Sequence, residues 1–245
     1  MAVFELKNSK AVGDLPSQCR DVIKRYKDEG MFNIDSITNG KQEYTTVYFL
    51  MTQDCNLRCA YCYQPKEFRQ KDSGITQDVI DATMDWVSRT FDERKIKFSI
   101  FGGEPFLNFP MLKYLCDTYC MYRYVVTTNG LILLEDQDVR DWVLKHKYHL
   151  NLSVSVSALR SKFGKSYLNK VKPLLDLVIS NGGDVHYVVD DPEREFVYEE
   201  IVWLYEYGVP IVRVSSARHW DMVKNKNEAF KDLFRRIADY VYFTG

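Results

Sequence analysis

From residue 45 onward, segments with the period of a β-strand alternate with segments with the period of a helix. "TTVYFLM" (45–51), "IKFSIF" (96–101), "RYVVTTNG" (123–130), "HLNLSVSVS" (149–157), "DVHYVVD" (184–190) and "PIVRVSS" (210–216) are rich in β-branched and aromatic residues and read as strands. Helical spacing follows each: over 76–91, about 109–121, 136–147, 167–180, 194–207 and 227–242. In the first of these Ile80, Met84, Val87 and Phe91 recur on one face, with Thr76 placed to cap the N-terminus. In the last, Phe230, Leu233, Phe234, Ile237 and Val241 do the same, and Asn181-Gly182-Gly183 is a fitting stop for the fourth.

Six βα units therefore follow an N-terminal extension, residues 1–44. Such alternation predicts an α/β domain over 45–245, with a parallel sheet and helices outside it. Six units are too few for a closed eight-stranded barrel. A partial (β/α)6 TIM-like barrel fits, and so does a doubly wound sheet. The fourth strand separates the two. Leu150, Leu152, Val154 and Val156 share one face, and Asn151, Ser153, Ser155 and Ser157 share the other. A parallel strand covered on both faces is apolar on both, so the serine row predicts a wet, ligand-holding lumen. An edge strand facing solvent is the alternative.

Hydrophobic residues make up 46% and charged residues 27% of the chain, enough for a sizeable core. A net charge of −1 gives no bulk electrostatic reason to expect a nucleic acid or an anionic membrane as partner. No stretch reaches the ~18 apolar residues of a membrane span, and the first residues lack the apolar core of a signal peptide. The expected location is cytoplasmic, where thiols stay reduced and clustered cysteines read as metal ligands before disulfides.

Three of the six cysteines, Cys55, Cys59 and Cys62, lie together in "QDCNLRCAYCYQP" (53–65). Structural metal sites usually close with four protein ligands, and His146, His149, His186 and His219 are all distant in sequence. Zinc would accept three thiolates and one further ligand. An iron–sulfur cube held by three thiolates would leave one iron open to an outside ligand. Cys116 and Cys120, spaced i, i+4, would share a helical face and read as two buried small residues. Cys19 stands apart in the N-terminal segment.

"CNLRCAYC", with the aromatic Tyr61 just before the third cysteine, resembles the cluster loop of the radical S-adenosylmethionine (radical SAM) enzymes. "FGGEP" (101–105) resembles the family's methionine-amine motif. "TTNG" (127–130) resembles the matching segment of its peptide- and protein-modifying, SPASM-type branch. The resemblance covers roughly 45–217. It implies the partial barrel, a 4Fe-4S cluster on Cys55, Cys59 and Cys62, and S-adenosyl-L-methionine on the remaining iron.

By the same resemblance, Gly102 and Gly103 would let backbone approach the ligand, and Glu104 would pair with the cofactor's ammonium. Tyr61 would lie by the adenine, and Thr128 and Asn129 would line the site. Ser155 stands where relatives carry the serine of an "SLDG"-like segment. This chain reads "SVSA" there, with Ser157 in place of the acid and Ala158 in place of the glycine. Arg213, inward on the sixth strand, would meet a carboxylate of cofactor or substrate, or else form a surface salt bridge.

The implied reaction is reductive cleavage of S-adenosylmethionine to methionine and a 5′-deoxyadenosyl radical, which abstracts hydrogen from a substrate. An external one-electron donor of flavodoxin or ferredoxin type would supply the electron. The "FGGEP…LN" and "TTNG" segments, which resemble that branch, favour a peptide or protein substrate. The chain carries no cysteine beyond Cys120, so the cysteine-rich C-terminal domain of that branch is expected to be absent. The bare-barrel length favours instead a glycyl-radical activating enzyme or a small-molecule enzyme. A non-catalytic iron–sulfur sensor is a third reading. No residue is assigned a catalytic role beyond cofactor binding.

Overall fold

A computed structural model describes residues 2–4, 45–62, 64, 74–91, 96–217 and 225–244. The expectation for an extension over 1–44 lies mostly outside the described residues, as does Cys19. Residues 2–4, however, form strand β1 (Ala2–Phe4) and join the sheet at its edge.

In chain order, β2 (Thr45–Leu50) leads through the cysteine loop to α1 (Gln77–Thr90), then β3 (Ile96–Phe101) and α2 (Phe109–Thr118). β4 (Tyr124–Thr128) is followed by two short helices, α3 (Leu131–Glu135) and α4 (Gln137–Lys145). Next come β5 (Leu150–Val154), α5 (Arg160–Phe163), α6 (Tyr167–Asn181), β6 (Asp184–Val189), α7 (Glu195–Glu206), β7 (Val212–Ser216) and α8 (Asn227–Thr244). The sheet runs β1-β2-β3-β4-β5-β6-β7, with β1 antiparallel to β2 and every later pair parallel. A strand order that follows the sequence is the winding of a barrel; a doubly wound sheet would reverse direction at a switch point.

Strand parity sorts the two faces. Val47, Phe49, Phe98, Ile100, Tyr124, Val126, Leu150, Leu152, Val185 and Tyr187 are buried on the outer face against the helices. The inner face carries Ser99, Thr127, Ser153, Asp184, His186, Arg213 and Ser215 among half-exposed apolar residues. The sheet thus has the polar inner face expected from the fourth strand, but that strand's share of it is shorter than predicted. β5 ends at Val154, and Val156–Leu159 turns into a 3-10 helix. Ser155 and Ser157 leave the strand face; only Asn151 and Ser153 stay on it.

Other boundaries shifted for local reasons. Thr76 occupies the N-cap of α1, but its hydroxyl makes no capping bond. Asp136 caps α4 through its side chain, which accepts the Val139 N–H at 3.1 Å. Helix α6 stops at Gly182 with φ +66°, as expected, where a left-handed residue costs glycine nothing. Helix α2 stops at Thr118, so Cys120 is off the helix and exposed while Cys116 is fully buried. The expected pair of buried cysteines on one face is therefore not formed.

Behind the outer face a buried ionic knot joins α5, α6, β6 and α7. Glu200 Oε2 accepts the Tyr167 and Tyr187 hydroxyls, each at 2.6 Å, and its other oxygen pairs with Arg160. The Arg160 guanidinium also lies 3.5 Å over the Phe196 ring. Removing one partner of such a pair strands a buried charge. Glu200→Ala is expected to lower unfolding free energy by about 3–5 kcal/mol, read as a fall in urea midpoint, with Glu200→Gln costing less.

Candidate active site

The cysteine loop rests on the loop that follows β3, main chain against main chain. The Gly103 N–H donates to the Thr52 carbonyl and the Glu104 N–H to the Asp54 carbonyl, both at 2.8 Å. A Cβ on Gly102, where φ is +150°, would lie 2.3 Å from Thr52 O, and one on Gly103 would lie 2.0 Å from Asp54 O. Both distances are far inside contact, and the clashing atoms are backbone. The two glycines thus admit the backbone of the cysteine loop, where the resemblance implies an approach of backbone to the ligand.

The loop is further fixed from within. Leu57 is buried as its apolar anchor. The Cys55 N–H donates to Asp54 Oδ1 at 2.9 Å, and the Cys62 N–H to the Cys59 carbonyl at 3.2 Å. Arg58 donates to the carbonyls of Cys55 and Leu57 at 2.6 and 3.0 Å. Cys55, Cys59 and Cys62 are half-exposed, and none is in a disulfide. Asn108, in "FGGEPFLN", donates to the carbonyls of Met51 and Ile75 at 3.0 and 3.3 Å, closing the loop's base. That asparagine lies beyond the "FGGEP" segment on which the resemblance to the methionine-amine motif rests.

Glu104 is completely buried. Its Oε1 accepts the Thr128 hydroxyl at 2.7 Å and the Phe106 N–H at 3.2 Å, and its Oε2 accepts the Asn129 N–H at 2.8 Å. Burial pushes its pKa up to about 7, against the pull of those three donors. An ionised carboxylate has about four acceptor sites, so the three bonds leave room for one more donor. The structure brings Thr128 and Asn129, expected to line the cofactor site, together with Glu104, which is their partner here.

Tyr61 is brought to the end of β5, where its hydroxyl lies 3.3 Å from Ser157 Oγ. Burial raises the Tyr61 phenol well above its ordinary value and keeps it neutral. Ser157 Oγ also accepts the Val188 N–H at 3.1 Å. Ser155 is tied by its own N–H to the Thr128 carbonyl at 2.8 Å. Arg213 sits on the inner face but is bound to Asp184, with Nε at 2.9 Å, and to Ser153. Of its two expected roles, the structure displays the salt bridge.

The donor set suits an iron–sulfur cluster: three half-exposed thiols on one loop, held by backbone bonds and flanked by a buried carboxylate. A sequence profile of the Radical SAM superfamily matches residues 49–190. The chain belongs to that superfamily. Members hold a 4Fe-4S cluster and S-adenosylmethionine, and need an external electron donor. The chain is 25% identical over 202 residues to an uncharacterized protein of Methanocaldococcus jannaschii, covering 78% of this chain and 66% of that one.

It is also 30% identical over 136 residues to a GTP 3',8-cyclase of Campylobacter jejuni subsp. doylei, covering 53% of this chain and 39% of the cyclase. With a GTP 3',8-cyclase of Haemophilus ducreyi it shares 28% over 153 residues, covering 59% of this chain and 38% of the cyclase. The chain thus spans well under half the length of these cyclases. The structure of native anSMEcpe with bound AdoMet shares the fold, with a TM-score of 0.52 at 17% identity, over 69% of this chain and 51% of that one.

Two outcomes follow from the geometry. Gly103→Ala is expected to dislodge the cysteine loop, with loss of bound iron after anaerobic reconstitution while the far-ultraviolet circular dichroism is kept. Glu104 gives a pH signature. Unfolded, its carboxyl ionises near 4.5, and folded near 7, so the folded chain holds the extra proton between those values. Its contribution to stability therefore falls as pH rises from about 4.5 to about 7, by an amount on the order of 3 kcal/mol, and is level above that. Glu104→Gln removes this fall, which urea midpoints of the two cluster-free chains across that range would show.

Proposed function

We propose that this chain is an enzyme that uses S-adenosylmethionine to start radical chemistry on a small polar substrate held at the inner face of its sheet. The observation that carries the reading is the docking of a three-cysteine loop on Gly102–Gly103, next to a buried, ionisable carboxylate. Cys55, Cys59 and Cys62 would hold three irons of the cluster, leaving the fourth for the amino and carboxylate groups of S-adenosylmethionine. When bound, the two groups supply one-electron cleavage of a carbon–sulfur bond and a 5′-deoxyadenosyl radical able to take hydrogen from carbon.

The chain's own residues supply place and charge. Glu104 offers its remaining acceptor capacity to the ammonium of the cofactor. Tyr61, Thr128, Asn129 and Ser155 close the ends of β4 and β5 around that position. The inner-face polar residues Ser153, Asp184, His186, Arg213 and Ser215 give a substrate both donors and acceptors. That face and the similarity to GTP 3',8-cyclases support a small polar molecule over the peptide or protein side chain expected from "FGGEP" and "TTNG".

The test is anaerobic reconstitution followed by dithionite and S-adenosylmethionine, with 5′-deoxyadenosine measured by mass spectrometry. Wild type is expected to form it, and Cys55→Ala to form at least ~100-fold less, a loss of about 3 kcal/mol or more of transition-state stabilisation. A fully loaded wild-type chain that forms none would leave the sensor reading in place of this one. Deuterium appearing in 5′-deoxyadenosine from labelled nucleotides and not from labelled peptides would support the substrate class, and the reverse would overturn it.

A further inference from the structure

Asn129 lies between the buried carboxylate and the cysteine loop, and its neighbours fix which way its amide points. Its Oδ1 accepts the Leu131 N–H at 2.9 Å. The amide nitrogen must then face the other way. There Nδ2 donates to Asn56 Oδ1 at 2.9 Å and to Cys55 Sγ at 3.8 Å. The Leu57 N–H reaches the same sulfur at 3.4 Å. Asn129 is only 8% exposed, so water competes little for this contact.

We infer that Asn129 tunes the reduction potential of the cluster, through an N–H···S hydrogen bond to the Cys55 thiolate. The inference rests on the reading that Cys55 is a cluster ligand. Reduction adds one electron, delivered by the external donor, and no proton. The added negative charge is shared with the thiolate sulfurs, so an N–H aimed at sulfur stabilises the reduced state more than the oxidised one. The bond therefore raises the midpoint potential and makes the cluster easier to reduce. Asn129 acts through Cys55 and touches neither the scissile bond nor the substrate in this role.

One residue thereby holds both charged partners of the site. The main chain of Asn129 fixes Glu104, through the 2.8 Å bond to Oε2, while its side chain reaches the sulfur. The Glu104 anion and the Cys55 thiolate are thus spaced by a single rigid turn. A shift of that turn moves both.

Asn129→Ser is the decisive variant. A serine hydroxyl at this position still accepts the Leu131 N–H two residues on, but is too short to reach Cys55. It keeps the turn, adds no charge and removes the amide donor that Cys55 Sγ shares with Asn56 Oδ1. Asn129→Asp also keeps the turn acceptor and places a carboxylate beside the thiolate. The measurement is an anaerobic redox titration of the reduced cluster's electron paramagnetic resonance signal, without S-adenosylmethionine, on chains loaded to equal iron and sulfide.

The midpoint is expected to move to more negative potential in Asn129→Ser and further in Asn129→Asp. A purely structural role would broaden the signal or lower iron content and leave the midpoint in place. Midpoints coincident with wild type, in chains that load fully, overturn the inference while leaving the cluster reading intact. A wild-type chain that takes up no four-iron cluster overturns the reading beneath it, and this inference with it.

Discussion

Everything at the site depends on two main-chain segments touching without side chains between them. The amides of Gly103 and Glu104 meet the carbonyls of Thr52 and Asp54, and no residue with a Cβ fits at either glycine. That contact turns the cysteine loop, which has no regular secondary structure, into an extension of the parallel sheet. Loops carry function well when a rigid scaffold fixes their ends. Here the scaffold is the pair β2–β3, in register over its whole length from Thr45↔Ile96 to Leu50↔Phe101.

The second determinant is electrostatic. A carboxylate with no solvent contact is expensive unless donors surround it, and Glu104 has three: the Thr128 hydroxyl and the N–H groups of Phe106 and Asn129. Those donors come from the turns after β3 and β4. The carboxylate is thus a cross-brace between neighbouring strand ends as well as a charge. Those donors offset only part of the desolvation, and the carboxyl ionises near 7 rather than in the usual carboxylate range.

Much of this was legible in the sequence because the signals were periodic or compositional. The alternation of strand and helix, the cysteine spacing and the glycine pair each have a local physical cause that one chain displays. The fourth strand was overextended because "SVSVS" keeps the alternation of a strand through Ser157, while the backbone turns into a 3-10 helix after Ser155. Cys120 was placed on a helix because i, i+4 spacing says nothing of where the helix stops. The partners of Glu104, Arg213 and Asn129 were not legible. Each is a long-range meeting of strand ends or inner-face neighbours, set by sheet register rather than by any neighbour in sequence.

The pairing between β5 and β6 is short: only Ser153↔Asp184 and Val154↔Val185 are in register, against five pairs between β6 and β7. Beyond that point the Val188 amide is met by the hydroxyl of Ser157 instead of a strand. Within the one continuous sheet, the β5–β6 seam is therefore the narrowest ladder and is completed by a side chain. Ser157, on the segment that follows β5, meets both the Tyr61 hydroxyl and the Val188 amide, so one side chain links the cysteine loop to β6 across that seam.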